Sequence, residues 1–115
     1  MAHPVVHFEI RSADPDATRR FFGDLFGWTF APAGIPGYTY VDTGAEAPLH
    51  GGIGPLQGGS SLVTVYVGVE DVAATLEAAE RLGGTIVQPP VKVPGVTFAL
   101  LADPQGHVFG VSQTT

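Results

Sequence analysis

The chain's 115 residues suit one domain, and a hydrophobic share of 44% allows a sizeable core. A net charge of −6, with only five scattered Lys and Arg residues, argues against nucleic-acid and anionic-membrane partners. The absence of cysteine excludes disulfides, thiolate metal sites and cysteine nucleophiles; with no signal-peptide pattern and no apolar run of spanning length, a cytoplasmic protein without membrane association is expected.

A strand is expected over residues 5–11. Val6, Phe8 and Ile10 make one face; His7, Glu9 and Arg11 make the other. Asp14-Pro15 opens a helix, with Asp at the N-cap and Pro at the first helical position, where its missing N–H costs nothing. Thr18, Phe21, Phe22 and Leu25 form the expected buried stripe of this helix, and Gly27 ends it. Strands are expected from Trp28 to Phe30, over 38–43 and over 51–54, with a Pro/Gly turn region at 31–37 and a connection at 44–48. Gln57-Gly58-Gly59-Ser60-Ser61 is the one linker-like stretch. A strand over 62–69 follows, then a helix capped by Asp71, carrying Val72, Leu76, Ala79 and Leu82 and closed by Gly83-Gly84. Strands over 85–88 and 96–102 precede the tight turn Asp103-Pro104-Gln105-Gly106 and a last strand over 108–112.

The two halves repeat. A shift of 57 residues places Asp14 on Asp71, Ala17 on Ala74, Thr18 on Thr75, Leu25 on Leu82, Gly27 on Gly84 and Pro32 on Pro89. Chance would give roughly one or two identities in that window. The register then slips by one, so that Thr39 falls on Thr97 and Gly52 on Gly110. The expected fold is α+β: two βαβββ modules, at about 4–57 and 61–115, forming one domain with a cup-shaped mixed sheet and helices on its outer face. Period-2 alternation then lines the cup with His7, Glu9 and Arg11, with Thr64 and Tyr66 at their repeat positions, and with Gly52, Gly54, Gly110 and Ser112.

His7, the run from Asp14 through Phe21-Phe22 to Phe26-Gly27-Trp28, the run from Val69-Glu70-Asp71 to Leu82-Gly83-Gly84, and the Asp103–Gly106 turn together resemble the vicinal oxygen chelate superfamily. That group includes glyoxalase I, extradiol dioxygenases, fosfomycin-resistance enzymes and bleomycin-binding proteins. The resemblance covers nearly the whole chain and implies the fold, not one reaction. It also implies four metal-ligand positions, which in this chain are His7, Thr64, Gly52 and Gly110. A single His among four does not make a catalytic site, which needs about three protein ligands. The resemblance therefore implies a metal-free member with no cofactor, unless His7, Glu9 and His50 form a displaced two-His-one-carboxylate set.

The candidate catalytic residues are Glu9 and His7, an acid–base pair on one strand face. The plainer alternatives are that these two satisfy each other, or that Glu9 pairs with Arg11. Tyr66, Thr64, His50, Gly52, Gly110, Tyr40 and Trp28 are the candidate ligand-binding positions, with Gly52 and Gly110 leaving open space on the cup floor. Tyr38 and Phe98 are further possible stacking partners, and Trp28 has core packing behind the helix as its alternative. The expected function is metal-independent binding of a small organic ligand, by sequestration or with acid–base chemistry. A metal-dependent lyase, isomerase or dioxygenase is the alternative, and a non-catalytic interaction protein is a third class. Uncovered strand edges and low surface charge predict a homodimer, with or without exchange of halves.

Overall fold

The computed structural model describes residues 2–44, 46 and 49–114; the middle of the connection expected at 44–48 (Ala45, Ala47 and Pro48) lies outside them. Two compact units are present, residues 7–63 and residues 64–115, the latter together with the chain's first six.

The first unit carries β1 (Val5–Ser12, from His7 onward), α1 (Pro15–Phe26), β2 (Thr29–Pro32), β3 (Thr39–Asp42) and β4 (His50–Pro55). Its strand order is β2-β3-β4-β1, antiparallel except for the parallel pair of β1 with β4. The Asp14 carboxylate accepts the Ala17 N–H at 3.1 Å, Pro15 starts the helix, and Gly27 closes it at φ 73°, a left-handed conformation that glycine adopts at no steric cost. Ile10, Val41 and Ile53 form the core on the helix side, with Phe8, Phe22, Trp28 and Phe30 packed against them. The expected helix stripe is corrected here. Phe22 turns inward, but Phe21 and Leu25 are 60% and 58% exposed. The Phe8 ring lies over Gly51 on this face, and Phe22 is the aromatic of the expected stripe that packs against the core.

The second unit repeats the plan with β5 (Leu62–Gly68), α2 (Val72–Arg81), β6 (Thr85–Val93), β7 (Val96–Ala102) and β8 (Val108–Thr114), ordered β5-β8-β7-β6. Asp71 caps α2 through the Ala74 N–H at 3.1 Å. Val72, Leu76, Ala99, Leu101 and Val111 make its core, while Leu82, past the helix end, is 81% exposed. The Gly68 N–H donates to the Pro4 carbonyl at 2.8 Å, which ties the chain start to this unit. β6 runs five residues beyond its expected end, straight through Pro89-Pro90. Register shifts between Ile86 and Val91 let it do so, since prolines at a bulge in the last strand of a half-sheet give up no ladder bond. Each unit is thus a four-stranded mixed sheet with one helix, and the architecture is α+β.

Candidate functional site

Period-2 alternation puts Phe8 and Ile10 on the helix side of β1, so His7, Glu9 and Arg11 share the other face. Register aligns His7 with His50, Glu9 with Gly52 and Arg11 with Gly54 across the parallel β1–β4 pair. Antiparallel pairing of β3 with β4 sets Tyr40 beside Gly52. The first unit therefore collects His7, Glu9, Arg11, His50 and Tyr40 on one face, over a strip of β4 with no side chains at Gly52 and Gly54.

Tyr38 covers that strip. A Cβ at Gly52 would overlap its hydroxyl and ring outright, and a Cβ at Gly54 would lie 2.5 Å from its Cδ2. The Tyr38 hydroxyl donates to Glu9 Oε1 at 3.1 Å and lies 2.9 Å from His7 Nε2. A phenol has one proton to give, so His7 Nε2 is the donor in the second bond. Arg11 Nε donates to Glu9 Oε2 at 2.7 Å. His7 Nε2 stands 3.9 Å from Glu9 Oε1, too far for a direct hydrogen bond, and the phenol bridges them. The result is a linear array: His7, Tyr38, Glu9, Arg11. Glu9 and Arg11 are 7% and 6% exposed, so the two charges are matched inside the protein rather than by solvent.

Burial pushes the His7 imidazole below its ordinary pKa of 6.5; Glu9 opposes that shift and the neighbouring His50 adds to it. The turn that delivers Tyr38 is held from α1. Arg19 Nη1 donates to the Gly37 carbonyl at 3.4 Å and to Thr39 Oγ1 at 3.2 Å, on either side of Tyr38. Gly34 and Gly37 sit at φ 78° and 76°, backbone conformations that favour glycine.

Several sequence expectations change. Gly52 is not open floor, because Tyr38 fills its space. Gly110 is not open either: it pairs with Tyr66 in the β5–β8 register, and the Tyr66 ring occupies the place of its missing side chain. Tyr66 is buried at 3% exposure and packs edge-on against Phe98 at 6.1 Å. Thr64 is buried too, its hydroxyl donating to the Val108 carbonyl at 2.7 Å. Trp28 lies on the helix side, stacked on Phe22 with centroids 5.2 Å apart and the planes inclined by 9°, so it is a core residue and not a ligand platform. Tyr40 and His50 are exposed. They contribute to a shallow groove of about 640 Å³ that also includes Asp42 but neither His7 nor Glu9. The sequence offers Tyr38 as one stacking aromatic among several, and Arg11 as a member of the face and an alternative partner for Glu9. The one signal for Tyr38 is the pair Gly52 and Gly54, two neighbouring positions on one face that leave room for a ring.

Among the described residues no three His, Cys, Asp or Glu side chains are grouped so as to hold an ion. The displaced set His7, Glu9 and His50 is not such a group; Tyr38 and Arg11 donate to the two Glu9 oxygens instead. No helix of the described residues is long and apolar enough to cross a membrane.

A family model described as a glyoxalase-like domain matches residues 7–112. The anthracycline biosynthesis protein DnrV of Streptomyces peucetius is 30% identical over 122 residues, covering 90% of this chain and 44% of that protein. The putative glyoxylase CFP32 of Mycobacterium bovis is 33% identical over 107 residues, covering 90% of this chain and 41% of that protein. The chain thus spans less than half the length of these two curated relatives. Among solved structures, a glyoxalase/bleomycin resistance protein/dioxygenase superfamily member from Vibrio splendidus superposes with a TM-score of 0.63 at 17% identity, over 97% of this chain and 99% of that one.

Proposed function

Because the chain belongs to the glyoxalase-like domain family of the vicinal oxygen chelate superfamily, we propose that it binds a small organic molecule, without a metal ion, on the face formed by His7, Tyr38, Glu9 and Arg11. One observation carries the reading. A buried charge pair and an imidazole are held on the sheet face away from the helix, bridged by a phenol over a floor of two glycines. Buried ionic groups are costly to a fold, and a core of apolar side chains would have served stability as well. The Streptomyces relative's name, an anthracycline biosynthesis protein, supports an organic small molecule as the ligand class.

Binding is the primary role, since both Glu9 oxygens already have donors. A second reading, acid–base chemistry on the ligand, is favoured by the His7–Tyr38–Glu9 chain, which joins an imidazole to a carboxylate through the Tyr38 hydroxyl. Turnover assays of candidate compounds with Glu9→Gln separate the two. A catalytic Glu9 predicts a fall on the order of a hundredfold with binding retained. The metal-free part of the proposal is tested by elemental analysis and by thermal melts with and without chelator. One bound metal per chain, with a chelator-induced drop in melting temperature, overturns it.

Pairing of two chains belongs to the same proposal. Phe21, Leu25 and Phe26 leave α1 with an apolar face 58–60% exposed, which a second copy would cover. Light scattering at micromolar concentration tests it, and a monomer contradicts it. A cytoplasmic location completes the proposal and is tested by cell fractionation.

A further inference from the structure

We propose that the site over Gly52 and Gly54 takes a phenol, a flat ring bearing one hydroxyl, and that Tyr38 is its built-in occupant. The proposal rests on the reading of this face as a ligand site and names the ligand's chemistry. The Tyr38 ring lies along β4 from Gly54, which its Cδ2 and Cγ approach, to Gly52, which its hydroxyl covers. At the Gly52 end that hydroxyl meets an acceptor and a donor, Glu9 Oε1 at 3.1 Å and His7 Nε2 at 2.9 Å. Arg11 fixes the acceptor from behind at 2.7 Å. The recess is therefore the negative image of a phenol: a ring-sized floor with no side chains, ended by one group that takes a hydroxyl proton and one that gives a proton to the same oxygen.

Tyr38 is a replaceable occupant. Its backbone N–H is bonded to the Ile35 carbonyl at 3.1 Å, and the neighbouring Gly37 and Thr39 are held by Arg19. Rotation about the Cα–Cβ bond moves the ring while these contacts stay in place. The ring is only half-buried, so it leaves toward solvent, and Tyr40, set edge-on to it at 6.1 Å, remains as a wall. An incoming phenol restores both hydrogen bonds that Tyr38 gives up. The exchange is then even for these two bonds, and the remaining contacts of Tyr38 and of a larger ligand decide it. Tyr38 also acts as an intramolecular competitor, which lowers the apparent affinity for any free phenol by the fraction of time it is seated. A methyl group can neither donate to Glu9 nor accept from His7, so the site disfavours toluene, which has nearly the shape of phenol.

The test uses phenol and toluene with the wild-type protein and with Tyr38→Ala, where phenol plus the alanine methyl rebuilds the lost side chain. Calorimetry and NMR titration are expected to show phenol binding to Tyr38→Ala on the order of tenfold tighter than to wild type, and on the order of tenfold tighter than toluene. A folded Tyr38→Ala that binds neither probe, or binds both equally, overturns the proposal. Should Tyr38→Ala fail to fold, Tyr38→Phe decides. It keeps the ring and loses both hydrogen bonds of the occupant, so phenol must bind it more tightly than wild type, and no gain overturns the proposal. A library compound that shifts the His7 resonances while phenol binds neither variant removes the phenol assignment and leaves the ligand site standing. If no compound perturbs His7, the site reading falls with it.

Discussion

Tyr38 occupies the space that a side chain at Gly52 would need, and its hydroxyl thereby becomes the bridge between His7 and Glu9. The second half solves the same problem with another residue. Tyr66, at the repeat position of Glu9, lies over Gly110, the repeat position of Gly52. In the first half the covering ring comes from the turn before β3 and not from the first strand, and position 9 carries a carboxylate. That single difference separates a half-sheet filled by its own aromatic from one that carries a charged network.

Substitutions at the two glycines should therefore differ. Gly110→Ala forces the buried Tyr66 ring against Phe98 and is expected to cost about 1–3 kcal/mol. Gly52→Ala displaces a half-buried ring that has an outward path, so its stability cost is smaller, but it breaks the bridge to Glu9. Urea unfolding ranks the two, and NMR of His7 reports the broken bridge. A larger loss at Gly52 would contradict this packing.

Arg11→Met should be severe, because it leaves the Glu9 carboxylate buried without its cation. The expected loss is about 3–5 kcal/mol. Adding Glu9→Gln to Arg11→Met removes the stranded charge and should recover much of that loss. A double-mutant cycle by chemical denaturation measures the coupling, and additive effects would show that the ion pair is not the dominant interaction at this site.

The lowered pKa of His7 makes stability depend on pH with a defined sign. In the unfolded chain His7 takes up a proton near 6.5, while in the folded protein it resists protonation. Its contribution is fully present above 6.5 and is lost as pH falls through the folded value, because the unfolded state binds more protons in that window. His7→Asn should flatten the dependence between neutral and mildly acid pH. An NMR titration giving His7 a pKa at or above 6.5 would refute the sign.

Each helix depends on one capping carboxylate, so Asp14→Ala and Asp71→Ala should each cost about 1 kcal/mol, and Asn at either position should restore most of it. Thermal unfolding tests both. No loss at Asp14 would mean that the Ser12 hydroxyl, which accepts the Asp14 N–H at 3.0 Å, can stabilise the entry to α1 unaided.

Local chemistry made much of this molecule legible from sequence. Asp14-Pro15 and Gly27 bound α1 because an N-cap, a Pro at the first position and a left-handed glycine act through neighbouring backbone alone. Alternation placed His7, Glu9 and Arg11 together on the face away from the helix, and the repeat predicted the same βαβββ element order in the two halves. What needed the tertiary structure was which side chain fills which space. Glycine at 52 and 110 reads equally as an open floor or as a seat for a ring, and only the path of the chain brings Tyr38 over one and Tyr66 over the other. Phe21 and Leu25 fit an apolar helical stripe, yet α1 docks through Phe22 and leaves them exposed, an orientation set by core residues on other elements. Pro89-Pro90 would end an isolated strand, but the register shifts against β7 absorb them. The pairing of Glu9 with Arg11, an open alternative in the sequence, is decided by Tyr38, which takes the second carboxylate oxygen and holds His7 away from it.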